Sequence, residues 1–458
     1  MSFDPHFAPD GAVSTRSLLP ITKPAFKKWL TEQTEARQNW IASAGFTAEA
    51  GSVLLLPDDN SALFGWDKSD FWCFAALPGK LPAGNWKVVL ALPAEQADAA
   101  ALGWGLGNYA FTRFKSKGSK DAKPRLAWPE AADRAHITRI LEGMALARDL
   151  INTPANEMGP TQLAAAAEEV AKKYGAEFKV IVGDDLLAEN YPTIHAVGRA
   201  SADAPRLIDL RWGPIDAPKL TLVGKGVCFD SGGLDLKSSA NMKLMKKDMG
   251  GAAIVLGLAR TIMDAGLKLR LRVLIPAVEN AVSGNAFRPL DIITTRKGMT
   301  VEIGNTDAEG RLILCDALCE ADREKPDLLL DLATLTGAAR VALGPDLVPM
   351  YTADETLAGE LLAAAEREND PMWRMPLWKP YRKMLDSKIA DINNASDSTH
   401  AGSITAALFL QEFVSPGTLW AHFDVFGWNP APKPGRPEGG ESMALRALFS
   451  AIRKRFSV

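Results

Sequence analysis

Beyond residue 152, short apolar runs alternate with amphipathic stretches over about 300 residues, and no other feature constrains the fold as strongly. Residues 207–210, 220–223, 269–276, 328–332 and 419–425 read as strands. Residues 250–265, 310–323, 404–414 and 442–453 carry helical spacing. Strands separated by helices return parallel to one another. The pattern therefore predicts an α/β domain whose central sheet is mainly parallel and covered by helices on both faces.

The chain ahead of this region reads differently. Residues 52–56, 71–77 and 86–92 resemble strands, and 24–43 read as one helix with Trp29, Trp40 and Ile41 in its apolar stripe. A lysine-rich stretch over 115–123 marks a domain edge, and a helix over 133–151 connects it to the larger region. At 458 residues the chain exceeds one ordinary core, so two domains are expected. They are a smaller N-terminal α/β domain over 1–125 and a larger C-terminal α/β domain over 153–458. Residues 126–152 form the linker segment and connector helix. The N-terminal domain would serve assembly, regulation or access.

Charge narrows the function classes. Fifty-two basic residues against 55 acidic ones leave a net charge of -3, which offers no general attraction to nucleic acid or an anionic membrane. No apolar stretch reaches membrane-spanning length. Cys73, Cys228, Cys315 and Cys319 show no CxxC spacing and no disulfide framework. The opening Met-Ser-Phe-Asp-Pro-His lacks the basic start and apolar run of a secretory signal, so the expected location is the cytoplasm.

Two stretches do not read as packing alone. One is VGKGVCFDSGGLDLKSSANMKLMKKDMGGAA from Val223 to Ala253, and the other is IGNTDAEGRL from Ile303 to Leu312. Each follows a strand signal and runs into a helix signal, the place where open α/β sheets put their sites. Structural explanations exist for the first stretch: Asp248 as an N-cap, Asp230 as a turn residue beside two glycines that permit positive φ, Lys225 and Lys237 as solvated charges. The second stretch is harder to explain that way. Asp307, Glu309 and Arg311 alternate, and an extended segment would turn all three to one side. Two carboxylates so placed repel unless a cation lies between them. Arg311 suits a bidentate contact to an anion. A carboxylate-rich set favours Mg²⁺, Mn²⁺ or Zn²⁺, and four carboxylates exceed the needs of one catalytic ion, so two ions are expected.

Taken in order and spacing, GKGVCFDSGG, Lys237, KDMGGAA, NTDAEGRL and DLATLTGA resemble the leucyl (cytosol) aminopeptidase family, peptidase family M17. The likeness is strong from Asp149 to Leu448; ahead of it, only 103–115, with Tyr109 and Phe111, is similar. The resemblance implies hydrolysis of the first peptide bond of peptides with a free N-terminus. It implies two divalent ions per subunit, Zn or Mn, with Mg or Co also accepted at a looser site. Asp230 and Glu309 would bridge them, Lys225 and Asp248 would complete the tighter site, and Asp307 the looser one. Lys237 would stabilise the oxyanion. Arg311 would hold a bicarbonate acting as general base toward the metal-bridging water, in a nest completed by backbone at Ala308, Gly310 and Leu335. Met245, Thr334 and Gly337 match the pocket for the first side chain, suited to leucine, methionine and similar residues. Met242 and Met249 read as helical core. A homohexamer, two trimers stacked through their catalytic domains, is also implied.

The chain departs from the family pattern at Lys247, where an uncharged residue is usual, at His400 and at Phe426 and Trp428 in HFDVFGWNP. Lys247 adds positive charge beside Asp248, His400 reads as a loop residue, and the two aromatics bear on the pocket entrance. Rival chemistries find little support. There is no G-x-S-x-G elbow, no HExxH and no P-loop. Gly105, Gly107 and Ala110 match a dinucleotide fingerprint only formally, because they follow an Ala-rich helical stretch and no strand. A catalytically silent scaffold would be expected to have lost some of the seven charged positions, all of which are present. A dipeptidase-like specialist is the alternative within enzymes.

Overall fold

Four neighbouring strands, each carrying a mostly apolar run, set the frame of the larger unit, since parallel strands covered on both sides need such runs. The computed structural model describes residues 6–12, 15–57, 59–116 and 123–456, so the opening five residues and most of the lysine-rich stretch lie outside the described residues. The chain divides into two compact units: residues 1–142 with 431–438, and 143–430 with 439–458.

In the first unit the elements run β1 (Thr15–Ile21), α1 (Lys23–Thr31), α2 (Glu35–Ser43), β2 (Val53–Leu56), β3 (Ser61–Gly65), β4 (Gly84–Val88), α3 (Ala94–Asn108) and β5 (Pro124–Leu126). The sheet order is β2-β3-β1-β4-β5, antiparallel only between β2 and β3.

Four sequence expectations fail in this unit. The single helix over 24–43 is two helices, because the chain breaks after Thr31 and Thr34 caps α2 by accepting from the Arg37 N–H. Ile41 is buried, whereas Trp40 faces out. The strand expected over 71–77 is instead a 3-10 turn at Cys73–Ala76. The Asp70 carboxylate accepts from the Trp72 N–H just before it, a local bond that favours the turn over an extended chain. The strand from Trp86 stops at Val88, short of the expected 92. Gly105 and Gly107 lie inside α3. A Cβ on Gly105 would stand 2.5 Å from Leu141 Cδ1, so close packing accounts for this glycine.

Helix α4 (Arg134–Asn152) runs through the point where the chain passes from the first unit to the second. Next come α5 (Pro160–Tyr174), β6 (Glu177–Val182), α6 (Asp185–Ala188), α7 (Pro192–Gly198), β7 (Arg206–Trp212), β8 (Lys219–Gly224), β9 (Gly226–Asp230), α8 (Ser239–Met242), α9 (Gly250–Asp264) and β10 (Arg270–Asn280). The chain continues through β11 (Ile292–Thr294), β12 (Thr300–Glu302), α10 (Glu309–Arg323), β13 (Leu328–Ala333), α11 (Gly337–Leu343), β14 (Val348–Tyr351), α12 (Glu355–Arg367) and β15 (Met372–Arg374). It closes with β16 (Ile392–Asn393), α13 (Gly402–Gln411), β17 (Trp420–Asp424), β18 (Trp428–Asn429), β19 (Gly439–Gly440) and α14 (Leu445–Phe456).

The main sheet runs β15-β14-β17-β13-β8-β10-β7-β6, with β9 pairing β10 beyond β8. β17, β13, β8 and β10 are mutually parallel, and antiparallel strands flank them. Helix α9 packs on β8 and β13 together with α5 and α14, while α10 packs on β8 and β10 together with α7 and α13. Both central helices are almost entirely buried, as sheet-covering helices must be. Among the described residues no helix is long and apolar enough to cross a membrane.

Candidate active site

The carboxyl ends of β8, β9, β13 and β17 open toward one cavity of about 670 Å³. Lys225 comes directly after β8. Its backbone N–H donates to Leu332 O and its carbonyl accepts from the Ala252 N–H, so neighbouring elements hold it at the strand end. Asp230 closes β9, and Asp248 stands in the 3-10 turn Met245–Met249 ahead of α9. Asp248 is no N-cap: Met249 holds that position, without a side-chain bond. The stretch containing Asp307 and Glu309 comes after β12, which belongs to a separate three-stranded sheet. Asp307 lies in a turn and Glu309 begins α10, so turn and helix, not extended alternation, bring these two carboxylates together.

Asp230, Asp307 and Glu309 each offer an oxygen within 4.8 Å of the others'. Lys225 Nζ stands 2.7 Å from Asp248 Oδ2, 2.8 Å from Glu309 Oε1 and 2.9 Å from Thr334 O. Lys237 Nζ is 2.8 Å from Asp230 Oδ2 and also meets Asp307 Oδ1. Neither lysine is a solvated charge. Lys225, Asp230, Asp248 and Glu309 are each 3 % exposed or less.

Four carboxylates face two ammonium groups, and at the three buried ones water cannot offset the excess negative charge. Protons are therefore held more tightly than usual. Burial, then Asp230, raise Glu309 well above the ordinary carboxylate range. Burial and Asp230 push Asp307 up to about 6 against the pull of Lys237. Burial works to lower both lysines, but the carboxylates outweigh it and raise them. Among the described residues Glu309 Oε2 has no hydrogen-bond partner, and the ammonium contacts leave Glu309 Oε1, Asp248 Oδ2 and Asp307 Oδ1 without a well-directed one. Buried acceptors left in this state fit divalent cations, and this donor set suits hard or borderline ions.

Residues that the sequence reading missed hold these groups in place. Asn280 Nδ2 donates to Asp230 Oδ1 (2.9 Å) and to Thr306 O (3.1 Å). Asp235 and Thr306 exchange bonds: the Thr306 N–H donates to Asp235 Oδ2, and the Asp235 N–H donates to Thr306 Oγ1. Asn394 accepts from the N–H groups of Gly304 and Asn305 and donates to Asn305 O and Ala308 O, tying down the loop that carries Asp307. Each is a lone polar residue far along the chain from its partner, so spacing carried no signal for it. Gly232 and Gly233 do take positive φ, as the FDSGG turn led one to expect.

Met245, Thr334, Gly337, Ala308, Leu335 and Arg311 all line the cavity. Thr334 Oγ1 donates to Asp248 Oδ1 at 2.8 Å. Arg311 is buried; burial lowers it to about 10, and its Nη1 donates to Asn394 O while Nε has no partner among the described residues. Of the backbone groups expected to form an anion nest, the Ala308 N–H donates to Asn305 O and the Leu335 N–H to Asp424 Oδ1. Gly310 lies in the first turn of α10.

Phe426 and Lys247 border the cavity. Trp428 lies in β18 against Lys246. Burial lowers Lys247 to about 8. His400 is an exposed loop residue meeting Ser398. Met249 is core, whereas Met242 is only half-buried.

Comparison with known proteins agrees with this arrangement. The cytosol aminopeptidase family, catalytic domain, matches residues 145–449, and the M17 aminopeptidase, N-terminal domain, matches residues 17–129. The "Probable cytosol aminopeptidase" of Roseiflexus castenholzii is 41% identical over 387 residues, 80% of this chain and 78% of that one. The protein of the same description from Xanthobacter autotrophicus is 42% identical over 368 residues, 76% and 74% of the two chains. The crystal structure of cytosol aminopeptidase from Coxiella burnetii superposes with a TM-score of 0.94 at 46% identity, covering 98% of this chain and 99% of that one. The bottromycin maturation enzyme BotP in complex with Mn gives 0.87 at 35% identity, covering 97% and 100%.

Fold, carboxylate cluster and likenesses together define a metal-dependent exopeptidase acting on peptides. The chain belongs to the cytosol aminopeptidase family, M17.

Proposed function

We propose that the protein removes apolar N-terminal residues, leucine and methionine foremost, from peptides by means of two divalent ions. The observation that carries this reading is the cluster of four carboxylates, three of them buried, in which Asp248, Asp307 and Glu309 keep oxygens without a well-directed hydrogen bond among the described residues. Asp230 and Glu309 would hold both ions, Lys225 and Asp248 the tighter one, and Asp307 the looser one. Zn or Mn suits the donors, with Mg or Co also accepted at the looser site; the Mn complex of BotP supports manganese. When bound, the ions would supply Lewis acidity and a nucleophilic hydroxide at neutral pH.

The chain's own groups do the rest. Lys237, held charged by Asp230 and Asp307, stabilises the developing oxyanion of the scissile carbonyl from a fixed position. Asn280 and Asn394 fix the carboxylates, so little reorganisation is needed during reaction. Met245, Thr334 and Gly337 receive the first side chain. Arg311, whose buried Nε has no partner among the described residues, would hold bicarbonate as the general base, with Gly310 and the neighbouring Ala308 and Leu335 around it. We place the catalytic domain at 153–458, the connector at 126–152 and an assembly or access role in 1–125. A cytoplasmic homohexamer, a dimer of trimers, completes the reading.

The test is release of p-nitroaniline from leucine p-nitroanilide with added Mn²⁺ or Zn²⁺ and after chelation, in the wild type and in Glu309→Ala. Activity that needs metal and vanishes in the variant is expected. Metal-independent activity, or an active variant, overturns the assignment.

A further inference from the structure

Two cations border the same cavity, and among the described residues no carboxylate lies in ion-pair contact with either, although Asp248 and Asp424 act on Lys247 from farther off. Lys247 is 7 % exposed, two residues beyond Met245, and its Nζ lies 4.9 Å from the centre of the Phe426 ring. Arg340, one turn beyond Gly337 on α11, has its Cζ 5.3 Å from the same centre. Both side chains line the cavity, and among the described residues neither forms an ion pair. Arg340 is exposed, whereas Lys247 contrasts with two other buried cations of this unit, Arg272, which pairs with Asp209 at 2.7 Å, and Arg148, which pairs with Glu441 at 2.9 Å.

The nearest acids are committed elsewhere. Asp248 serves Lys225 and Thr334, and Asp424 accepts from the Leu335 and Thr336 N–H groups and from Thr336 Oγ1. A largely buried lysine without a counter-charge in contact is unfavourable, and an aromatic face offsets only part of that cost. The position of this lysine is informative. A Cβ on Gly427, next to Phe426, would stand 3.2 Å from Thr334 Cγ2, so the Phe426 segment and Thr334 wall the same part of the cavity.

We propose that Lys247, assisted by Arg340, forms a subsite for a substrate carboxylate. Two sources share that chemistry: an acidic first side chain, and the terminal carboxylate of a dipeptide. The subsite rests on the aminopeptidase reading and extends it. An apolar stem would lie along Met245 and Thr334 while its carboxylate meets the Lys247 ammonium in a charge-assisted bond.

The experiment compares kcat/KM of the Mn²⁺-loaded enzyme for the p-nitroanilides of Glu, Gln and Leu, and for Leu-Gly against leucinamide. It is run on the wild type, Lys247→Met and Arg340→Gln. Ratios between substrates are read within one preparation, so partly misfolded protein cancels. The Glu-to-Gln ratio is expected to fall about tenfold in Lys247→Met, the size of one charge-assisted bond, and by a smaller factor in Arg340→Gln. A fall confined to the ratio of Leu-Gly to leucinamide assigns the subsite to the dipeptide carboxylate. Ratios that stay within twofold in both variants overturn the subsite while leucine hydrolysis persists. Absence of leucine hydrolysis in the wild type overturns the aminopeptidase reading along with it.

Discussion

Lys225 crosses the face of Gly310: a Cβ on Gly310 would stand 2.6 Å from Lys225 Cε and 2.7 Å from its Nζ. The first turn of α10 thus has room for the lysine only because residue 310 carries no side chain. Gly310→Ala must push Lys225 off Asp248 and Glu309 while leaving the helix intact. We expect kcat/KM to fall about 100-fold, the usual cost of a shift near 1 Å at a reacting centre. Far-UV circular dichroism should be unchanged. Activity within threefold of the wild type would mean that Lys225 can move aside freely.

Glu309→Gln separates stability from activity. The raised pKa of Glu309 means that the metal-free fold favours its proton. That contribution to stability is fully present below the unfolded-state value and is lost as pH rises toward the folded one. The neutral variant escapes the loss. In chelator it should therefore be more stable than the wild type by about 1–3 kcal/mol at pH 7, with the gap closing near pH 4. Calorimetry across pH checks this. Added Mn²⁺ should reverse the order, raising Tm of the wild type alone.

Asp307 sets a pH limit on loading. Its carboxyl, raised to about 6 in the metal-free protein, holds a proton that an incoming ion must displace below that pH. Affinity for the looser ion should be flat above pH 6 and fall about tenfold per unit below it. Isothermal titration with Mn²⁺ at pH 5, 6 and 7.5 measures this. A flat profile from 5 to 7.5 contradicts it.

Asp331 lies beneath the site on β13, where it accepts from Trp420 Nε1 at 2.7 Å and lies 2.6 Å from His422 Nδ1. Burial works to lower His422, but Asp331 outweighs it and raises the imidazole. Asp331→Ala removes the partner of a buried histidine and a buried indole N–H, so we expect a loss of about 3–5 kcal/mol. Urea unfolding of the metal-free protein reads this; a loss under 1 kcal/mol would refute the pairing.

Legibility followed burial and distance along the chain. β8, β10 and β13 were readable because a strand covered on both faces is mostly apolar, and each carries such a run, interrupted only at Thr221 in β8, at Arg272 in β10 and at Asp331 in β13. The 3-10 turn at Cys73–Ala76 was misread because its apolar run is equally compatible with a strand, and the Asp70 bond decided between them. The return of residues 431–438 to the first unit left no local trace. Of the site, Lys225, Asp230, Asp248, Asp307 and Glu309 were visible as charges set among glycines and apolar runs, where packing has no use for them. Asn280, Thr306, Asp235 and Asn394 were not, because a single polar residue looks like any turn residue until its partner is known.

The sequence by itself determined which charged groups the protein carries and that they come after strand and turn signals, since both rest on local composition and period. Tertiary structure alone decided how those charges meet. It set Glu309 and Asp307 together through a turn into a helix, and buried Lys225 against two carboxylates across Gly310. It also left Lys247 and Arg340 lining the cavity with no ion pair among the described residues. Coulomb and desolvation energies depend on distance through space and on access to water, and neither quantity is written in the order of residues along the chain.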